Sequence, residues 1–368
     1  MNVEPFTNIQ KALTLFGLAP AFLVGCAVSH PPHAAGQVPA AEAMVSIAVP
    51  SAVAAPRPAA APPASMAQAI DRLVSGFDGI VGVGVTSIDG DWSYAANGDR
   101  PMPQQSVSKL WVAMTVLDAI DHNRLSLDTA VTVRREDLTL FHQPIATLVG
   151  DDGYQTTVRE LLRRAMTMSD NTANDRLLHL VGGPDAVRGF IAAHGLGAIR
   201  FGPGERLLQS GTAGLTWRQE YSLGNAFQLA RSRLPMPARV AAFDRYVANP
   251  PDGASAAAIS RALARLARGE LLSPTSTQWL MTTMEASHTG RMRLRGAVPP
   301  GWRFGHKTGT GQDLQGRTAG YNDVGFLIAP DGKSYAIAVM IGMTGRPIPA
   351  RQELMQAVVT AIVTSHAG

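Results

Sequence analysis

The chain has 368 residues, 46% of them hydrophobic and 16% charged, with a formal charge of +4 and a pI near 9.4. Its basic residues, among them Arg163-Arg164, Arg291/Arg293/Arg295 and Arg261/Arg265/Arg268, are scattered and interleave with no aromatics, which excludes a nucleic-acid partner. A single cysteine excludes internal disulfides and cysteine-ligated metals, and the nine histidines form no HExxH or similar pair, so neither a metal nor another cofactor is expected.

Residues 1–25 read as a secretory signal peptide, since Lys11 precedes an apolar run, Ala12 to Val24, that is too short to span a bilayer. The run stops at Leu23-Val24-Gly25-Cys26, where a small residue followed by cysteine resembles the bacterial lipobox; Cys26 is the expected lipidation site, an ordinary signal peptide cut a few residues later being the alternative reading. Residues 26–65 are rich in Ala, Pro, Val and Gly and nearly free of charge. They bury too little apolar surface to offset chain entropy and read as a tether. Residues 66–368 suit one enzyme with a cleft between two lobes. The expected location is periplasmic or secreted, with membrane contact only through a lipid on Cys26, and the expected state is a monomer.

Apolar positions Ile70, Leu73, Val74 and Phe77 predict a helix over 66–77. Residues 80–87 predict a strand, and Asp89-Gly90 turns it towards Trp92 and Tyr94. A helix follows from Ser106 to about Ile120. From 126 to 285 helices and loops dominate, with helices over 157–167, 172–181, 184–194 and 256–268. Strands return over 303–307, 322–328 and 334–341, the last after the turn Pro330-Asp331-Gly332-Lys333, and a helix over 350–365 follows. This order predicts an α+β fold: an antiparallel sheet built from both termini with flanking helices (about 66–105 and 301–368), plus an inserted all-α lobe (about 106–300). The lobes meet near Ser106 and Lys307, where a cleft is expected.

Only four lysines, Lys11, Lys109, Lys307 and Lys333, stand among 32 basic residues, so arginine serves wherever a generic cation suffices. A lysine amine can change its protonation state and a guanidinium cannot, which marks Lys109 and Lys307 for chemistry. Ser106-Val107-Ser108-Lys109 puts a hydroxyl and an amine on one face of a helix start, where N–H groups can also receive an oxyanion. Ser169-Asp170-Asn171, between two helices, offers a hydroxyl for proton transfer and an amide for a substrate amide; a plain helix cap is the alternative reading. Lys307-Thr308-Gly309, at a strand end, offers an amine and a hydroxyl to a carboxylate, with glycine admitting a ligand closely.

Taken in order, SxxK, SDN and KTG resemble the penicillin-recognising serine enzymes. TVRELLRRAMTMSDNTANDRLL (157–178), Gly182-Gly183-Pro184, GELLSP (269–274), Pro300-Gly301-Trp302, HKTGTG (306–311) and Asn322-Asp323 are similar to the class A serine β-lactamases, the resemblance covering about 66–368. It implies a β-lactamase/transpeptidase-like fold and a small-molecule β-lactam substrate. Ser106 would be the nucleophile and Ser169 the proton carrier to the ring nitrogen. Lys307 and Thr308 would hold the substrate carboxylate and Asn171 the acylamide, with the N–H groups of Ser106 and Thr310, beside Gly309, as the oxyanion hole. Lys109, or Glu205 through water, would be the acylation base. The family places its deacylating glutamate roughly three dozen residues after the serine of SDN, and Glu205 stands there, with Arg200 before it and Leu208 and Gln209 after. Gln209 replaces the usual asparagine as a ligand of the hydrolytic water. Residues 210–249 form an insertion carrying Trp217, Tyr221, Phe227 and Phe243, read as a lid, extra helices or a packing appendage, and about five extra residues lie around Asp313–Gly316. Arg317 or Arg351 is a candidate to add positive charge for the substrate carboxylate, an exposed arginine being the alternative reading for each. Two other readings stand beside the lactamase. One is a D-alanyl-D-alanine peptidase on the same fold, against which Glu205 argues; the other is a non-hydrolytic penicillin-binding lipoprotein.

Overall fold

The structure, a computed structural model, describes residues 60–367; the predicted signal, Cys26 and the tether up to residue 59 lie outside it. Among the described residues no helix is long and apolar enough to cross a membrane. The sheet strands are β1 (Ile80–Ser87), β2 (Ser93–Ala96), β3 (Arg303–Thr310), β4 (Tyr321–Ile328) and β5 (Ser334–Met343). The helices are α1 (Ala64–Gly76), α2 (Lys109–Asp121), α3 (Val158–Arg163), α4 (Asn171–Leu180), α5 (Pro184–Ala193), α6 (Glu205–Thr212), α7 (Ala226–Arg233), α8 (Met236–Ala248), α9 (Ala256–Ala267), α10 (Pro274–Glu285) and α11 (Ile348–His366).

All five strands pair antiparallel in the order β2-β1-β5-β4-β3, so early and late segments of the chain interleave as the strand pattern predicts. Side chains alternate across a strand, which gives the sheet two apolar faces. Val81, Val83 and Val85 join Ile337, Val339 and Ile341 against Met66 and Ile70 of α1 and Met355, Val358 and Ile362 of α11. Ala336, Ala338, Met340, Val324 and Phe326 face the other way, towards Ile259 and Leu263 of α9. The approach of α9 is close: a Cβ on Gly84 would stand 2.4 Å from the Ala256 carbonyl oxygen, so β1 needs glycine there.

Beyond α9 the helices wrap α2, ten of whose thirteen residues are buried. A helix that is apolar all round has to be enclosed on all sides, and α4, α5 and α10 pack against it. Each fully buried large apolar side chain contributes about 1.5–3 kcal/mol, so Leu110, Trp111, Met114 and Leu117 anchor α2 and whatever is built on its first turn.

One predicted helix divides. The period over 157–167 is helical, but α3 ends at Arg163 and the chain continues through a wider π turn, Arg164–Met168. The turn closes with the Asp170 amide on the Arg164 carbonyl (3.2 Å), Ser169 takes a left-handed φ of +62°, and Asp170 caps α4 by accepting from the Ala173 amide (3.0 Å). The insertion at 210–249 folds as extra helices, α7 and α8. Phe227 packs with Leu140, Ala213 and Tyr221, while Phe243 and Tyr246 pack with Leu208, Leu314 and Ala319. The extra residues after β3 pair as a short ladder, Asp313–Leu314 with Arg317–Thr318.

Candidate active site

The segment before α2 is a 3-10 turn, Gln105–Ser108. Gln105 has φ +53°, a conformation that costs a non-glycine residue roughly 1–2 kcal/mol and survives only where its surroundings over-determine it. Here they do. The Gln105 amide donates to Asp252 Oδ2 (2.8 Å), its Nε2 donates to the Tyr246 hydroxyl (2.7 Å) and the Ala319 carbonyl (3.1 Å), and its Oε1 accepts from Gln209 Nε2 (3.0 Å). This clamp holds the next residue, Ser106, half-exposed at the mouth of a cleft of about 520 Å³.

Lys109, on the first turn of α2, is fully buried. Its Nζ donates to Ser106 Oγ (2.8 Å), to Asn171 Oδ1 (2.9 Å) and to Glu205 Oε1. Glu205 opens α6; its backbone amide donates to Asp175 Oδ1 (3.1 Å) and its second oxygen accepts from Gln209 Nε2 (3.2 Å). Burial, with the Glu205 charge second, pushes Asp175 up to about 6. Gln209 reaches two partners, and its own Oε1 accepts from Gln312 Nε2 (3.0 Å), so its extra methylene ties α6 to the Gln105 turn and to the loop after β3.

Opposite stands β3. Lys307 is fully buried, donating to Ser169 Oγ (3.0 Å) and the Thr308 carbonyl (2.9 Å); burial first, then the charge of Lys109, hold its pKa well below the ordinary amine range. Thr308 and Thr289 share a hydroxyl hydrogen bond of 2.8 Å. A Cβ on Gly309 would lie 2.3 Å from the Gln104 carbonyl oxygen, so β3 presses on the Ser106 turn with no room for a side chain. Asn322 strengthens that seam by donating to the Pro103 (2.7 Å) and Gln104 (3.0 Å) carbonyls, and behind it His306 meets Asp323 at 2.8 Å, both fully buried.

Ser106, Ser169, Asn171, Gln209, Thr308 and Thr310 thus line one cleft, with Lys109, Glu205 and Lys307 bonded to that lining. Among the described residues no cluster of His, Cys, Asp and Glu could hold a metal. The expected extra cation is corrected. Arg317 pairs with Asp244 (2.8 Å) and Arg351 donates to the Arg346 carbonyl (2.6 Å), and neither reaches the cleft lining. Arg293 does. It donates to the Gly309 (3.0 Å) and Asn322 (2.7 Å) carbonyls and to Thr310 Oγ1 (2.5 Å), with its guanidinium 3.8 Å from the centre of the Tyr321 ring. Arg293 was counted only among scattered basic residues. Sequence reasoning also passed over Gln105, Tyr246 and Asp252, for which a residue pattern carries no signal, and Arg231 of α7, which lines the cleft from within the insertion.

Residues 65–365 match the family described as "Beta-lactamase enzyme family". The chain is 29% identical over 273 residues to the extended-spectrum beta-lactamase PER-1 of Pseudomonas aeruginosa, covering 74% of this chain and 78% of that one. It is 30% identical over 285 residues to beta-lactamase L2 of Stenotrophomonas maltophilia, covering 75% and 77%. A solved beta-lactamase from Chitinophaga pinensis superposes with a TM-score of 0.67 at 26% identity, covering 82% of this chain and 99% of that one. A solved ancestral class A beta-lactamase superposes at 0.64 with 28% identity, covering 82% and 99%.

Proposed function

Because the chain belongs to the β-lactamase enzyme family and is a class A serine β-lactamase, we propose which atoms carry its hydrolysis of the β-lactam amide. Lys307 and Thr308, with Arg293 behind Thr310, hold the substrate's ring carboxylate. Asn171 and the Gln209 side of the cleft receive the acylamide, and the N–H groups of Ser106 and Thr310 stabilise the oxyanion where charge develops.

Ser106 Oγ is the nucleophile. Among the described residues the only basic group in contact with it is Lys109 Nζ, at 2.8 Å. Passing one Lys109 proton to Glu205 leaves a neutral amine, which takes the Ser106 proton as Oγ adds to the ring carbonyl. The C–N bond breaks as Ser169, oriented by its hydrogen bond from the Lys307 amine, gives its proton to the ring nitrogen and regains one from solvent. Glu205 releases to solvent the proton it took from Lys109 and, again a carboxylate, then removes a proton from water. The water attacks the ester carbon, the Ser106 Oγ–C bond breaks as Oγ takes a proton from Lys109, and Glu205 returns its proton to Lys109 as the acid leaves.

The observation that carries this assignment is the buried contact chain from Ser106 through Lys109 to Glu205. It supports hydrolysis over a peptidase, because the second step has its base in place. The test is a rapid-quench intact-mass series with benzylpenicillin. Wild type is expected to show a transient one-to-one adduct while product accumulates, and Ser106→Ala neither. Turnover by Ser106→Ala refutes the assignment. We further place the protein outside the cytoplasm, exported by residues 1–25 on the support of Lys11 and the apolar run Ala12 to Val24, and lipidated at Cys26 on the support of Leu23-Val24-Gly25-Cys26.

A further inference from the structure

The cleft has two chemically distinct ends. Around β3 stand Lys307, Thr308, Thr310 and Arg293, already given to the ring carboxylate. Asn171, Gln209, Gln312 and Asp313 line the space that this reading leaves for the acyl side chain, and a further cation, Arg231, lines the same cleft. Arg293 is spent on two carbonyls, a hydroxyl and the face of Tyr321. Arg231 is not. Its Nη2 donates to the Asp313 carbonyl (2.9 Å), but its Nε is buried without a hydrogen-bond partner among the described residues. Among those residues no carboxylate lies within ion-pair distance of it: the Asp313 carboxylate accepts instead from the Thr318 hydroxyl. The charged neighbour on α8 is another cation, Arg239, whose Nε is also buried and unpartnered.

A half-buried, incompletely paired guanidinium facing a substrate cavity is costly unless an anion completes it, and its planar fork matches a carboxylate. From this arrangement we propose that α7, an element of the insertion, equips the enzyme to select β-lactams whose acyl side chain carries a carboxylate, with Arg231 as the residue that recognises it. The inference rests on the placement of the cleft around Ser106 given above. Phe227, one turn before Arg231 on α7, is buried and meets the ring of Phe141 edge-on with centroids 5.1 Å apart. Phe141, 45% exposed, lines the same cleft and offers it an apolar surface, so an acyl side chain that carries both an aryl group and a carboxylate has a partner for each. Burial first and Arg239 second lower the Arg231 pKa, and the Asp313 charge offsets them only in part.

Benzylpenicillin and its α-carboxy analogue differ by one carboxylate on the side chain and test the proposal as a pair. The readout is the ratio of their kcat/KM values, analogue over parent, which cancels any loss common to both. In Arg231→Gln the ratio is expected to fall roughly tenfold or more, the scale of a lost charge-assisted hydrogen bond, and Arg231→Lys is expected to retain part of it. Raising the salt from 0.05 to 0.5 M should lower the ratio in wild type and not in Arg231→Gln. If Arg231→Gln slows both substrates equally, Arg231 only staples α7 to the loop at Asp313 and the proposal is overturned. A Ser106→Ala variant that still hydrolyses both substrates defeats the reading of the cleft itself, which is a different failure.

Discussion

Asp252 is fully buried under the turn that presents Ser106, and its place in the clamp can be tested by removing its charge while keeping its shape. Oδ2 accepts from the Gln105 amide (2.8 Å) and the Tyr246 hydroxyl (3.2 Å), while Oδ1 has no hydrogen-bond partner among the described residues. Burial pushes the carboxyl up to about 6, against an ordinary value near 3.9. The native state therefore binds this proton more tightly than the unfolded chain does. The stability that the protonated group contributes is complete below about pH 4 and is lost as pH rises through 6, at an order of 3 kcal/mol by linkage. That is a large share of the roughly 5–15 kcal/mol that holds a typical protein folded. Asp252→Asn keeps an acceptor for Gln105 and Tyr246 and carries no charge. Its new amide stands at the orphan Oδ1 position, where a missing acceptor costs about 1–3 kcal/mol at every pH. The pH-dependent part is separable. Denaturant unfolding at pH 4.5, 6 and 8 should show wild type losing about 2 kcal/mol more than Asp252→Asn across that range, the part of the linkage effect that falls above pH 4.5. Asp175, present in both proteins and also near 6, cancels in the difference. A gap between the two proteins that stays constant from pH 4.5 to 8 refutes the claim that a buried, uncompensated carboxylate supports Gln105.

Three further outcomes are expected. Lys109→Arg, whose guanidinium cannot accept a proton, should lose acylation nearly as fully as Ser106→Ala, whereas Lys307→Arg keeps its charge and should chiefly raise KM; equal, near-complete inactivation in steady-state assays would contradict these roles. Arg293→Ala removes the guanidinium bonded to Thr310 Oγ1 and should raise KM for a penicillin roughly tenfold or more with a smaller change in kcat; an unchanged KM would return the carboxylate to Lys307 and Thr308 alone. Cys26→Ala should move the full-length protein from the membrane fraction to the soluble fraction or block its processing, and a wild type recovered soluble and unacylated would end the lipidation proposal.

Where the chain was legible, a local rule decided the matter. Strands β1, β4 and β5 and helices α9 and α11 follow from period and turn residues, because the strands are short apolar runs buried on both faces and bounded by turns, and the helices bury residues at three- and four-residue spacing. The three motifs carry Ser106, Lys109, Ser169, Asn171 and Lys307 because their chemistry needs short spacings, and Glu205 was reached through resemblance over the segment around it. What escaped depends on contacts between distant parts of the chain. Arg293 and Arg317 are indistinguishable as residues; only the fold turns one onto Thr310 and gives the other to Asp244. The left-handed φ of Gln105 is invisible at a glutamine, since the groups that impose it, Tyr246, Asp252 and Ala319, lie 141 to 214 positions away. The wide turn before Ser169 escaped for the same reason: a helical period continues across it, and only the capping by Asp170 and the reach of Lys307 to Ser169 show why the chain turns there.

The central claim is that Glu205, held against Lys109 and Gln209, removes the proton from the hydrolytic water. Glu205→Gln preserves the shape and removes the base, a role worth roughly 10²–10⁴ in rate. The direct measurement is a single-turnover intact-mass time course with benzylpenicillin that follows the Ser106 adduct in wild type and in Glu205→Gln. The account predicts that the variant forms the adduct and holds it for at least about a hundredfold longer than wild type. An adduct cleared at the wild-type rate would take deacylation away from Glu205, and a long-lived adduct already present in wild type would contradict the hydrolytic assignment itself.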